Sequence, residues 1–128
     1  MNFLILEDCG DRIFSFKQRL IGHDYEFTKD PKYCIELLKT KNWDYLFLDH
    51  DMTYNFEQPG EGTGYEVAEW ISNNPERKPR RILLHTMNNI GAAAMMLVLG
   101  KAKIRASYVP LLWEKLDLKE RSQNNFTE

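Results

Sequence analysis

Three short apolar runs in this chain stop abruptly at residues that carry chemistry. Phe3-Leu4-Ile5-Leu6 runs into Glu7-Asp8, Tyr45-Leu46-Phe47-Leu48 into Asp49-His50-Asp51, and Ile82-Leu83-Leu84 into His85-Thr86-Met87-Asn88. Runs of this length without polar alternation suit strands buried on both faces, which parallel sheets provide. Ligands of open parallel sheets bind beyond the carboxyl ends of the strands. If the three runs lie side by side, carboxylates, two imidazoles, a hydroxyl and an amide meet at one edge.

The segments between them read as helices. Ile13, Phe16, Leu20 and Ile21 recur at helical spacing after Gly10 and a cap at Asp11, and Gly22 stops the helix. Tyr25 and Phe27 alternate with charged neighbours as in an edge strand. Asp30-Pro31 is a cap followed by proline at the first helical position, with Cys34, Leu37 and Leu38 as the buried stripe. A polar loop from Met52 to about Gly62 leads to a helix opening at Thr63 or Gly64, with Val67, Ala68 and Ile71 inward and Asn73-Asn74-Pro75 at its end. A fourth helix starts near Asn88-Asn89 and runs through Ala92, Met95, Met96 and Leu99 to Gly100. Ile104 to Val109 is the fifth strand, and Pro110 begins a last helix with Leu112, Trp113 and Leu116. Five such units predict an α/β fold, a flavodoxin-like doubly wound parallel sheet of order 2-1-3-4-5. Strands 1, 3 and 4 are then central neighbours, and they are the three with polar ends.

The chain of 128 residues is read as one domain over residues 1–121 with a frayed tail over 122–128. Its 43% apolar content belongs to a packed core, and a formal charge of −2 offers no footprint for duplex nucleic acid. No run approaches the roughly 20 apolar residues of a membrane span. The strand pattern begins directly after Met1-Asn2, which leaves no room for a signal peptide. Cys9 and Cys34 read as reduced thiols, and the expected location is cytoplasmic. The oligomeric state is open.

Glu7, Asp8 and Asp49 crowd negative charge, which repels unless a cation intervenes. Such an oxygen cluster suits a divalent metal, Mg²⁺ or Mn²⁺, that keeps waters and takes up substrate phosphate. Glu7 and Asp8 fit equally as acids at the start of the first helix. Imidazole takes up and returns protons near neutrality, so His50 and His85 are candidates for acid–base catalysis, with Asp51 orienting one of them. Both also fit as metal ligands, which would move the preference toward Mn²⁺, Fe²⁺ or Zn²⁺. Thr86, Asn88 and Gly91, at the start of a helix, are candidate phosphate ligands, and Asn88 or Asn89 also fits as the helix cap. Tyr54 and Phe56 in the polar loop fit either of two readings, stacking on a base or tucking into the surface. Tyr65 and Trp70 read as packing residues, His23 as solvated, and Arg77-Lys78-Pro79-Arg80-Arg81 as a solvated turn at the far end of the sheet.

Over nearly its whole length the chain resembles a response-regulator receiver domain. Glu7-Asp8 matches the metal-binding acids, Asp49 the phosphoacceptor, Gly64 the glycine of the following loop and Thr86 the hydroxyl residue of strand 4. The lysine that receivers carry before a proline at the end of strand 5 is here Val109, and Lys101 and Lys103 come too early to replace it. His50 and His85 are also foreign to ordinary receivers. These departures resemble the cyclic-phosphate-processing receiver-like domains, through Leu48-Asp49-His50-Asp51, Gly64-Tyr65 with Ala68 and Trp70, and His85-Thr86-Met87-Asn88 with Gly91 and Met95. Asn89 stands where many members have proline. The resemblance implies metal-assisted opening of a cyclic phosphate, either a 2′,3′-cyclic RNA end or a cyclic nucleotide. A receiver-like signalling or nucleotide-binding module using Asp49 is the alternative.

Overall fold

The computed structural model describes residues 1–50 and 63–110. Along the chain run β1 (Asn2–Leu6), α1 (Gly10–Arg19), β2 (Asp24–Thr28), α2 (Pro31–Thr40), β3 (Tyr45–Leu48), α3 (Gly64–Asn73), β4 (Arg81–Leu84), α4 (Asn89–Lys101) and β5 (Ser107–Tyr108). All strand pairs are parallel and the order is β2-β1-β3-β4-β5, the predicted doubly wound sheet. Asp51, the segment with Tyr54 and Phe56, and the residues expected to form a last helix and tail lie outside the described residues.

Successive strand residues point to opposite faces, so each central strand feeds two cores. Leu4, Leu6, Leu46, Leu48, Ile82 and Leu84 pack with α2, α3 and α4. Phe3, Ile5, Tyr45, Phe47 and Leu83 pack with Phe16 and Leu20 of the α1 segment. Burying each such side chain contributes about 1.5–3 kcal/mol, and a one-residue slip of any strand would exchange its two faces. The register is therefore held firmly, and with it the level at which each strand ends.

Local signals act as expected in α2, where the Asp30 side chain accepts from Lys32 N at 3.0 Å and Pro31 follows. They differ in four places. Helix α1 starts at Gly10 with Cys9 as its cap residue, not at an Asp11 cap, because the Cys9 carbonyl accepts the first helical bond from Ile13 N at 3.0 Å. The helix ends at Arg19, so Ile21 falls in the turn before Gly22 (φ 90°) and is exposed. Strand β5 is shorter than Ile104 to Val109, since Ile104 N donates to Leu99 O and its side chain plugs the end of α4. Arg77 is also not a solvated residue: its guanidinium donates to Leu38 O and Lys41 O and ties the end of α2 to the turn before β4.

Candidate functional site

The register places Leu6 beside Leu48 and Leu48 beside Leu84, so the next residues, Glu7, Asp49 and His85, arrive level with one another. Asp49 N donates to Leu6 O and His85 N to Leu48 O, which continues the ladder one step past the strands. These three residues share the strand parity of Phe3, Ile5, Phe47 and Leu83, the face covered by α1. One donor atom from each lies within 4.8 Å of the others, and all three residues are buried. His85 Nε2 and Glu7 Oε1 are 2.7 Å apart, and the imidazole meets the rings of Phe16 and Phe47 at 5.3 and 6.4 Å between centroids. Glu7 Oε2 accepts from the N–H groups of Asp8 and Cys9 and so shapes the turn into α1.

Burial drives the Glu7 carboxyl toward its neutral form. The His85 hydrogen bond and charge, the Cys9 N–H and the Arg12 guanidinium together outweigh it and bring its pKa below the usual range. Asp49 goes the other way. Burial and the nearby Glu7 charge push it up, only partly offset by His85, Arg12 and the His50 N–H.

Two carboxylates and an imidazole at this spacing fit a divalent cation. His85 Nδ1 is buried and has no hydrogen-bond partner among the described residues, so the ring's hydrogen bonding there runs through Nε2. Asp8 is not part of this cluster. It follows Glu7 on the opposite parity, is only half-buried, and its N–H is taken by Glu7.

The opposite parity also carries His50 and Thr86, and they build a second, wetter group. His50 is half-buried, with its N–H donated to Asp49 Oδ1 at 2.8 Å and its Nδ1 lying 3.4 Å from Asn88 Nδ2. Gly64 N donates to His50 O, and a Cβ on Gly64 would stand 1.9 Å from Asp49 O, so only glycine allows α3 to start so close to this turn. Gly91 serves the ring itself: a Cβ there would meet His50 Cγ at 2.5 Å. The space at Gly91 is thus filled by an imidazole, and its N–H is occupied by Asn88 Oδ1 at 2.9 Å, the cap of α4. Thr86 is buried and its hydroxyl accepts from Asn88 N at 3.1 Å. The structure gathers the three expected phosphate ligands beside His50, with those polar atoms already engaged within the turn.

Arg12 is absent from the candidates that the sequence suggests. Its Nη1 lies 3.2 Å from Asp49 Oδ2 and 3.7 Å from Glu7 Oε1. The available signal was its place in the first turn of α1, on the helix that covers the odd-numbered face of β1. At the end of β5, Val109 packs against the aromatic layer and its N–H pairs with Leu84 O at 2.8 Å.

Among solved structures the chain is similar to a phosphorylated cyanobacterial phytochrome response regulator, with 15% identity over 93% of this chain and 89% of that one and a TM-score of 0.67. A response regulator receiver domain protein from Methanospirillum hungatei matches at 17% identity over 98% of this chain and 93% of that one, TM-score 0.63. A Burkholderia pseudomallei response regulator, described with a phosphorylated aspartic acid, calcium ion and citrate, matches at 14% over 98% of this chain and 68% of that one, TM-score 0.64. Comparison with curated proteins finds no match. Residues 3–101 match the family described as cyclic-phosphate processing receiver domain, and the chain belongs to that family.

Proposed function

We propose that this member of the cyclic-phosphate processing receiver family is a metal-assisted phosphoesterase that opens a cyclic phosphodiester, either at an RNA end or in a cyclic nucleotide. The observation that carries the reading is the level placement of Glu7, Asp49 and His85, with donor atoms within 4.8 Å, beside a half-buried His50. Glu7, Asp49 and His85 would hold Mg²⁺ or Mn²⁺, whose charge would stabilise the phosphoryl oxygens. The sequence leaves both ligand and proton-transfer roles open for His85, and its burial and contact with Glu7 favour the ligand role.

His50 is then the proton carrier. A water oxygen bonds to phosphorus, the bond from phosphorus to one ring oxygen breaks, and that oxygen leaves as a hydroxyl. The water's proton goes to His50, which returns one to the leaving oxygen. Asn88 sets the ring's orientation and Gly91 gives it room. Asp51 would support His50, and Thr86 would brace Asn88. None of the helices among the described residues is long and apolar enough to cross a membrane. A single phosphate, not a duplex, is the ligand that such a site fits.

The test is product analysis with Mg²⁺ or Mn²⁺ and 2′,3′-cyclic mononucleotides, other cyclic nucleotides and short RNA ending in a cyclic phosphate, with Asp49→Ala as control. Ring opening by the wild type alone is expected. No turnover with any metal would remove the enzyme reading. The second reading, phosphorylation of Asp49 as in the phosphorylated structural neighbours, predicts a mass increase after incubation with a small phosphodonor and Mg²⁺. Val109 in place of a cation at the end of β5 counts against it.

A further inference from the structure

We infer that Arg12 is the residue that grips the phosphate of substrate and product, a role that rests on the phosphoesterase reading and completes its binding site. Among the described residues it supplies the one guanidinium or ammonium group in contact with Glu7 or Asp49. A single nitrogen, Nη1, makes both contacts. A guanidinium carries five N–H donors in a planar fork, so most of this one is uncommitted: Nη2 and Nε make no hydrogen bond among the described residues. The Arg12 side chain is 35% exposed while those of Asp49 and Glu7 are 6% and 0% exposed, so the fork joins the dry cluster to solvent.

That arrangement gives Arg12 two uses. Without a metal, it offsets part of the repulsion between two buried carboxylates. When a cation is bound by those acids, their hold on Arg12 weakens, and the fork matches two oxygens of a phosphate. No other cation is offered from the end of β5, where Val109 is packed into the aromatic layer. Arg12 thus competes with the metal and cooperates with the phosphate. These opposite signs separate substrate binding from a merely structural ion pair.

The experiment is calorimetric titration of the full chain with Mn²⁺ alone, and of the Mg²⁺-saturated chain with inorganic phosphate and with adenosine 2′-monophosphate. Wild type, Arg12→Gln and Arg12→Lys are compared, each with a thermal melt. In Arg12→Gln, phosphate affinity is expected to fall about tenfold or more, the loss of a charge-assisted bidentate contact, while Mn²⁺ affinity rises severalfold. Arg12→Lys keeps the charge without the fork and should lose most of the phosphate affinity. If Arg12→Gln fails to fold, Arg12→Lys decides alone. Unchanged phosphate affinity, absence of phosphate binding by the wild type, or parallel weakening of metal and phosphate would each overturn the assignment. Phosphate binding through Arg12 with no ring opening would leave Arg12 its role and remove the phosphoesterase reading. Ring opening with Arg12-independent phosphate binding would do the reverse.

Discussion

His85 and His50 stand at the ends of neighbouring strands, yet they occupy opposite surroundings. His85 is walled by Phe16 and Phe47, bonded to Glu7 and 3% exposed. His50 is half-buried on the other face, against Gly91 and beside Asn88. Strand parity produces the difference: Glu7, Asp49 and His85 share the parity of the α1 face, while His50 turns the other way, toward Gly91 of α4. One sheet edge therefore offers a dry pocket, where charges interact strongly, beside a wetter one, and this contrast is what the proposed roles of metal ligand for His85 and proton carrier for His50 rest on. The same side chain meets two environments because of its place in the pleat.

The largest expected effect comes from breaking the turn that links the two regions. Gly64→Ala would place a methyl 1.9 Å from the Asp49 carbonyl, and neither partner is a side chain that can swing away. A loss of about 3 kcal/mol or more is expected from such overpacking against backbone, read as the shift in a urea midpoint. Next comes the contrast between the histidines. His85→Ala removes the Glu7 hydrogen bond and leaves Arg12 as the one cationic side chain, among the described residues, beside two buried carboxylates, which should cost about 3 kcal/mol. His50→Ala should cost under about 1 kcal/mol, since the ring is half-exposed. Equal losses at the two positions in denaturant titration would contradict the division into dry and wet regions.

Much of this was legible in the sequence. The polar residues ending β1, β3 and β4, the Asp30-Pro31 cap and the buried stripes of α2 and α3 are local signals that the fold obeys. What failed was longer in range. Glu7 and Asp8 read as an equivalent acidic pair, but of the two only Glu7 joins Asp49 and His85 in the buried cluster, while Asp8 is half-buried beyond the end of β1. Parity could have turned attention to Arg12, on the helix above the odd face. Gly91 read as room for phosphate because sequence cannot say that His50, 41 positions earlier, fills the space. Ile104 fitted a strand by composition, and the closing turn of α4 claimed it first.

A smaller effect, opposite in sign, is expected at Asp49. Burial and the Glu7 charge raise its pKa, so the folded chain holds this proton over a pH range where the unfolded chain has lost it. Its contribution to stability therefore falls as pH rises through that range, and the charged form carries the cost at neutral pH. Asp49→Asn should stabilise the metal-free chain by about 1 kcal/mol while abolishing metal binding, the trade expected of a strained site. Glu7 has the opposite linkage: its lowered pKa gives stability that is complete above the unfolded value and lost as pH falls through the folded one. Mn²⁺ affinity measured against pH should weaken on acidification, beginning above the ordinary aspartate range because Asp49 takes its proton early. A midpoint at the ordinary range would contradict the raised pKa of Asp49.

The smallest effect on stability should come from Gly91→Ala, and it separates the two regions most sharply. The new methyl would meet His50 Cγ at 2.5 Å, and here the obstacle is a side chain that can rotate away. Alanine in place of glycine near the start of α4 offsets part of that strain through helix propensity, worth about 1 kcal/mol, so the urea midpoint should move little. Mn²⁺ affinity should not change, because Glu7, Asp49 and His85 lie on the other face. Ring opening should nevertheless fall by about a hundredfold or more, the scale of a displaced acid–base group. Retained activity would show that the position of His50 is not needed and would return proton transfer to His85. A parallel loss of metal affinity would show that the two faces act as one site, since moving one imidazole would then have disturbed donors on the far side of the pleat.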